Sequence, residues 1–451
     1  MTKLRNNDLL RLLGSRPQVS GKELTQSLGI SRATLSRGLR QFGEELLRQG
    51  GTKNIRYALK RPLRGRIDGL PVYTIDPEGV GQMIGTLTLT QPYGSLFDGS
   101  SPFPWPVDGP LMAQGWWDGL PYPVYDMRPR GFLGRNFARH HASALEVSTN
   151  PEKWNDDDIA YVISREGYDM PGNWIIGNAA YRRFLDQQTS DEHFIDDEEV
   201  STRYPILASQ ALAEGQAGSS AAGEFTKFIT ARSIDGRPEH VIVKFSRADD
   251  SAAARRWSDL LVCEHLALTT LNKNLKLPVP RSRIYESSGR CFLEVVRFDR
   301  HGRHGRSPVC TLESLNNSLV GRGESSWPEV AQILAKRGFL MQGEVERIRL
   351  LWWFGKLIGN TDMHHGNVAF LPGLTLAPAY DMLPMMFAPQ LGGEVPEREF
   401  KPELPLPGDR ETWNNVAQAA AVFWRCCADD TRISDDFRRH CAHHATTLDT
   451  R

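Results

Sequence analysis

The sequence predicts an α+β fold: a small basic module with a helix-turn-helix and a β-wing, followed by a two-lobed body that is β-containing first and helical last. Three observations predict it. Charge is segregated, because residues 1–66 carry fifteen Lys and Arg against four Asp and Glu, a net +11, in a chain whose formal charge is zero. Strand-like alternation falls between residues 72 and 296, whereas apolar segments at helical spacing dominate from residue 327 onward. The length, 451 residues, allows two or three domains and a sizeable core. The expected division is 1–61, 67–300 and 301–451.

Residues 4–13 form a short apolar-periodic helix. Ser20-Gly21-Lys22-Glu23 is a capping box ahead of a helix over 22–28. Gly29 supplies a tight turn, and Ser31 can cap the next helix. There Leu35, Leu39 and Phe42 share one face, while Arg32, Thr34, Arg37 and Arg40 stay off it. A recognition helix offers its N-terminal side chains to base edges in this way, so Ser31 and those four residues are candidate DNA contacts. Segments 47–49 and 53–59 read as a hairpin with Lys53 and Arg56 near its tip, suited to phosphate contact. Such modules also mediate protein contacts; the +11 charge favours double-stranded DNA for residues 1–61.

Residues 62–65 read as a linker, and 72–75 and 82–90 as strands flanking the turn Asp76-Pro77-Glu78-Gly79. The Pro/Gly/Trp-rich stretch 91–123 lacks a period and is expected to be either a loop packed by its aromatics or an interaction surface. Asp156-Asp157-Asp158 reads as a helix start with a solvated face. Segments 125–131 and 185–199 add little chemistry, and the basic, Gly-broken run 301–306 is expected to be a hairpin tip or loop on the solvated surface.

Residues 215–223 hold three glycines and two serines, a composition that lets backbone amides approach phosphate oxygens or simply makes a flexible linker. Next, 240–245 is an apolar strand bearing Lys244, an arrangement that is costly unless the ammonium is paired or ligand-bound. Asp259 and Glu264 on the following helix are candidate partners. A strand over 291–296 then ends in Arg297-Phe298-Asp299-Arg300.

The densest chemistry is Gly359-Asn360-Thr361-Asp362-Met363-His364-His365-Gly366-Asn367, followed by Ala379-Tyr380-Asp381. It leaves an apolar helix and enters a short apolar strand at 368–371. Asp and Asn in such a loop can be mere turn formers. They also match what phosphoryl transfer requires: one carboxylate to orient a hydroxyl and take its proton, and an amide and a second carboxylate to hold a hard cation. Asp362, Asn367 and Asp381 could supply that set. His364 and His365 lack an HExxH or Cys partner for zinc.

On N-T-D-x-H-x-x-N (360–367) followed by Tyr380-Asp381, the chain resembles the HipA family of bacterial serine/threonine kinases, toxins of toxin–antitoxin pairs, and within it a branch with an N-terminal winged helix-turn-helix. Asp169-Met170-Pro171-Gly172 resembles the family's N-terminal lobe. The resemblance implies a two-lobed HipA-like kinase fold, with ATP and Mg2+ as cofactors and an unidentified protein as substrate. It implies Asp362 as base with His364 near the γ-phosphate, Asn367 and Asp381 as metal ligands, and Lys227 and Lys244 as phosphate contacts. Ser220 falls at the family's autophosphorylated serine, and Val296, Phe298 and Asp299 at the hinge that grips adenine and ribose. The chain departs from the family at Phe225 and Thr226, where Gln and Pro are usual, and at Val296 in place of Glu. Family members rely on a separate DNA-binding antitoxin, so an antitoxin-like partner is implied, unless residues 1–61 bind DNA in cis and make the chain autoregulatory.

No apolar run reaches the roughly eighteen residues that span a membrane, and residues 3–8 interrupt any signal-peptide core. Six cysteines without C-x-x-C spacing fit thiols in a reducing cytoplasm. The alternative to a kinase is a DNA-binding transcription regulator whose kinase-like body senses nucleotide or a partner and transfers nothing. A sugar kinase ranks last, for want of a D-x-G-x-T loop.

Overall fold

The computed structural model describes residues 6–51, 54–190, 192–214, 225–390 and 392–449; Lys53 and Ser220 lie outside them. The N-terminal module has helices Asn6–Gly14, Gly21–Leu28 and Arg32–Leu39. Strands Val19–Ser20, Arg56–Leu59 and Leu46–Gln49 form its three-stranded antiparallel sheet, in that order. The Ser20–Glu23 capping box forms, and such a cap is worth about 1 kcal/mol. Gly29 closes the helix at φ 62°, a conformation that favours glycine. Leu9, Leu13, Leu24, Leu35, Leu39 and Leu59 make the module's core, with Phe42 against it from a 3-10 turn beyond the helix.

The segment read as a linker is a fixed strap. Leu63 is buried in the body's core, Arg61 pairs with Asp157 at 2.9 Å and Arg64 with Asp158 at 3.0 Å. Asp156 accepts from the Tyr125 hydroxyl at 3.0 Å. The acidic start of helix Asp156–Glu166 is therefore a receptor for arginines as well as a favourable partner for the helix dipole. Ala58 and Leu47 of the module pack against Leu96, Trp116 and Leu111.

The first body sheet is antiparallel and runs Trp116–Trp117, Ser95–Gly99, Gly81–Leu89, Leu70–Ile75, Trp174–Ile176. Stretch 91–123 belongs to it as core, since Trp105, Trp116, Trp117 and Tyr122 are buried. Bulky aromatics replaced the periodic pattern that would have marked the strands.

A second antiparallel sheet orders Ser282–Ser287, Arg290–Val296, Arg237–Phe245 and Thr226–Ile234. Its register sets Lys244 opposite Lys227. Helices Val200–Glu214 and Ala252–Leu275 pack against it. Fully buried Arg232 donates to Glu294 at 2.7 Å and pairs with Asp197, so segment 185–199 does supply chemistry, though structural. The last third is helical: Trp327–Lys336, Gln342–Leu357, Arg410–Asp429 and Asp435–Asp449. One continuous core joins Val72 and Trp174 of the first sheet to Leu260, Leu351 and Trp424.

Run 301–306 is the hairpin tip expected, with Gly302 and Arg303 exposed, but its base is buried. Arg300–His301 and Gly305–Arg306 form a hairpin in which Arg300 and Arg306 are buried. Both lie beside Asp169, at 2.7 and 3.9 Å, with Arg297 at 3.7 Å. Burial works against ionising Asp169, and the three guanidinium groups overcome it, holding the carboxyl well below its usual range. Gly305 permits the close approach, because a Cβ there would sit 1.8 Å from the Pro77 carbonyl oxygen. No described helix is long and apolar enough to cross a membrane.

Candidate active site

Helix Gln342–Leu357 delivers the chain to Gly359, whose φ of 72° turns it sharply into the acidic loop. Buried Asn360 then ties two loops together. Its Oδ1 accepts the Asp362 N–H at 3.0 Å and its Nδ2 donates to the Asp381 carbonyl at 3.1 Å. Asn367 donates its Nδ2 to the Asp362 carbonyl at 2.7 Å, which leaves Oδ1 without a donor among the described residues. The Tyr380 hydroxyl donates to the Gly366 carbonyl at 2.7 Å. Asp381 itself is held at φ 54°, a left-handed conformation that carries strain for a residue with a side chain.

Lys244 Nζ donates to both Glu264 carboxylate oxygens, at 2.6 and 2.7 Å, and also pairs with Asp381. Of the two candidate partners the structure selects Glu264. Asp259 instead accepts from the Ser434 N–H and hydroxyl, each at 2.7 Å. Burial opposes the Lys244 charge, but Asp381 and Glu264 raise its pKa well above the ordinary lysine value. Burial likewise would raise the Asp381 carboxyl, and Lys244 with Lys227 draws it down to about 2.

Asp362, His364, Asp381, Lys227 and Lys244 line one cleft of ≈ 1190 Å³. The Asp362 and His364 side chains are 57% and 59% exposed, with Nε2 and Oδ1 4.0 Å apart, so the carboxylate is presented to whatever enters. The Asp381 carboxylate and the uncommitted Asn367 oxygen are hard oxygen donors of the kind magnesium takes, and the Asp381–Lys244 pair is also where a phosphate oxygen could be met. Asp381 in the cleft fits Mg2+ with a nucleotide, whereas Asn367 is buried and is not among the residues that line the cleft.

The hinge residues do not join this cleft. The Val296 N–H donates to the Arg281 carbonyl at 2.9 Å. The Phe298 ring lies 6.1 Å from that of Tyr380, a bridge from hinge to acidic loop. Asp299 departs from the ribose role that the resemblance implies. Its carboxylate accepts twice from Arg297 at 3.0 Å, from Arg300 at 2.7 Å and from the Gly172 N–H at 3.1 Å. A carboxylate so saturated has little capacity left for a sugar hydroxyl.

In the N-terminal module Arg32, Arg37 and Arg40 are exposed and Thr34 is half-buried. Ser31 caps the helix by accepting from the Thr34 N–H at 3.2 Å. Arg56 stands near the wing tip as expected, in the last pair of the hairpin ladder, but its side chain is engaged within the module. The residue pairs across the sheet with Gln49 and Ser20, and its guanidinium faces Glu23 at 3.4 Å and Gln18. Those acceptors, distant in sequence, are what the reading of an isolated hairpin could not include.

Sequence reasoning missed the Asn360 clamp and the wall made by Arg128, Arg130 and Arg135, which lines the same cleft. The signal was three arginines within eight positions. Asp126 fixes their turn by accepting from the Thr311 N–H at 2.9 Å, the Thr311 hydroxyl at 2.6 Å and the Ser314 hydroxyl at 2.7 Å.

Residues 67–185 match the family model of the YjjJ-like toxin middle domain, and residues 219–447, half of the chain, that of the HipA-like C-terminal domain. The chain belongs to the HipA-like toxin family. Within it, Toxin YjjJ of Escherichia coli (strain K12) is 34% identical over 435 residues, 96% of this chain and 95% of that protein. A chain of the Shewanella oneidensis MR-1 toxin–antitoxin complex of HipA, HipB and its operator DNA has the same fold, with a TM-score of 0.53 at 15% identity, covering 84% of this chain and 95% of that one. The body therefore has the two-lobed, kinase-like HipA fold.

Proposed function

We propose that this HipA-like toxin is an ATP- and Mg2+-dependent protein serine/threonine kinase, fused to a winged helix-turn-helix that binds double-stranded DNA and makes the chain autoregulatory. In this reading residues 1–61 contact DNA, 67–300 form the nucleotide-binding lobe and 301–451 the catalytic lobe. The observation that carries it is the convergence of Lys244, Asp381 and Asp362 in one cleft, with buried Glu264 holding Lys244.

Lys244, oriented by Glu264, contacts the donor phosphates with Lys227 beside it. Asp381 and Asn367 hold the cation, which when bound neutralises charge on the transferred phosphoryl group. Asp362 takes the proton of a serine or threonine hydroxyl as that oxygen bonds to the γ-phosphorus. The bond from phosphorus to the β–γ bridging oxygen breaks and ADP leaves. His364 stands beside the γ-phosphate, and Ser220 is the candidate autophosphorylation site.

ATP should raise the unfolding midpoint only when Mg2+ is present, by the equivalent of about 2.7 kcal/mol at a hundredfold excess over Kd. Stabilisation that is absent, or that survives chelation by EDTA unchanged, would overturn the reading. The second reading, a transcription regulator whose body binds nucleotide or a partner without transfer, is supported by the engaged Asp299 carboxylate and by Phe225 and Thr226.

DNA binding is supported by the +11 charge of residues 1–66 and by exposed Arg32, Arg37 and Arg40. Each phosphate they neutralise should contribute about −0.9 to the slope of log affinity against log salt, so Arg37→Ala should flatten that slope by about one unit. Affinity indifferent to salt would exclude the module as the DNA contact. An antitoxin-like protein is a further candidate partner, given that the Shewanella complex contains HipB and operator DNA. Cysteines that are all free support a cytoplasmic location.

A further inference from the structure

We propose that Arg128, Arg130 and Arg135 form an acceptor-side anion subsite, which selects a protein segment carrying a carboxylate or phosphate beside the serine or threonine to be modified. The inference rests on the kinase reading and names its substrate class.

The three arginines line the cleft that holds Asp362. Arg130 is the N-cap of the fifteen-residue helix Gly131–Leu145 and makes no side-chain cap bond, while Gly131 also lines the cleft. The helix therefore directs its positive end and its first N–H groups at the same space. The Nε atoms of Arg128 and Arg130 are buried and have no acceptor among the described residues. Buried donors of this kind normally find one.

The acids that hold Arg128 and Arg130 are loose or local. Glu152 meets Arg128 at 3.4 Å and is 65% exposed; Glu313 pairs with Arg130. Glu313 also fixes the distance to the reaction centre, because a Cβ placed on Gly366 would lie 3.1 Å from its Oε2. The Arg130–Glu313 pair thus stands directly against the loop that carries Asp362 and Asn367.

Two further acids, Glu324 and Glu329, also line the cleft. Both lie on the segment joined to the acidic loop through His365 Nε2 and the Ser325 carbonyl at 2.7 Å and through Trp327 Nε1 and the His364 carbonyl at 3.2 Å. Glu329 is occupied by the Ser326 N–H at 2.7 Å. Arg128, whose carboxylate partner is solvated, is the member of the wall most open to the acceptor. An anionic side chain there displaces solvated Glu152 from the Arg128 guanidinium and accepts its hydrogen bond.

The test uses the full chain, Mg·ATP and peptides with one Ser or Thr core flanked by Asp/Glu, phosphoserine, Gln or Lys. Wild type should favour the acidic and phosphorylated peptides over the Gln peptide by about tenfold or more in kcat/KM, the value of one charge-assisted hydrogen bond. Arg128→Gln should bring that ratio to about one through KM for peptide, with KM for ATP unmoved, and Arg128→Lys should restore part of it. Equal use of all peptides by wild type, or a preference that survives in Arg128→Gln, overturns the subsite while leaving the kinase intact. A rise in KM for ATP instead assigns the wall to the donor phosphates and likewise overturns it. Should wild type phosphorylate nothing, the kinase reading falls, and anisotropy of the same labelled peptides decides the subsite. Acid-selective binding lost in Arg128→Gln upholds an anionic peptide as ligand, and equal binding removes it.

Discussion

Asp362→Asn should leave Mg·ATP affinity within about twofold of wild type and lower phosphoryl transfer by roughly 10²- to 10⁴-fold, the contribution of a positioned general base. The asymmetry follows from where the side chain stands. The Asp362 carboxylate faces the cleft, more than half exposed, and bonds no other element among the described residues. The loop is instead held through backbone groups, the Asp362 N–H to Asn360 and the Asp362 carbonyl to Asn367. The amide substitution preserves shape and removes only the proton acceptor. Nucleotide titration and single-turnover transfer, measured side by side, separate the two effects. Loss of ATP affinity equal to the loss of transfer would instead make Asp362 a ligand of the donor.

Lys244→Met has the larger structural consequence. Glu264 is 1% exposed and its carboxylate is met at both oxygens by Lys244. Removing the ammonium leaves an uncompensated buried charge, a loss of about 3–5 kcal/mol. Asp381, 35% exposed, keeps its hydration and adds little to that loss. Denaturant unfolding should show the full effect in Lys244→Met and recover most of it in Lys244→Met/Glu264→Leu, since the double change replaces an ion pair by apolar volume. Nucleotide affinity should stay lost in both. Recovery of ATP binding in the double variant would show that Lys244 acts on stability alone.

The parts legible in the sequence were those set by local rules. The Ser20–Glu23 box, Gly29 and the Leu35/Leu39 face lie within a few residues of one another, and propensity and spacing suffice for them. Lys244 was legible because a lone ammonium in an apolar strand demands a partner; that the partner is Glu264 rather than Asp259 depended on the pitch of helix Ala252–Leu275 against its sheet. Long-range pairing was hidden. Arg56 finds Glu23 and Gln18, Asp299 is saturated by Arg297 and Arg300, and Arg300 and Arg306 sink beside Asp169; each involves residues whose nearness only the folded chain creates. The same applies to stretch 91–123, where four large aromatics supply core without any period. The arginine wall was visible as composition, but its position over the acidic loop came from Asp126, bonded to Thr311 and Ser314, and from Glu313 between those two.

The most direct measurement incubates wild-type protein with γ-labelled ATP, Mg2+ and a cell lysate, and maps the labelled residues by mass spectrometry. The account predicts phosphate esters on serine or threonine of protein, dependent on Mg2+. Tight Mg·ATP binding with no phosphorylated serine or threonine on any protein would contradict it, and would leave a nucleotide-sensing regulator in its place.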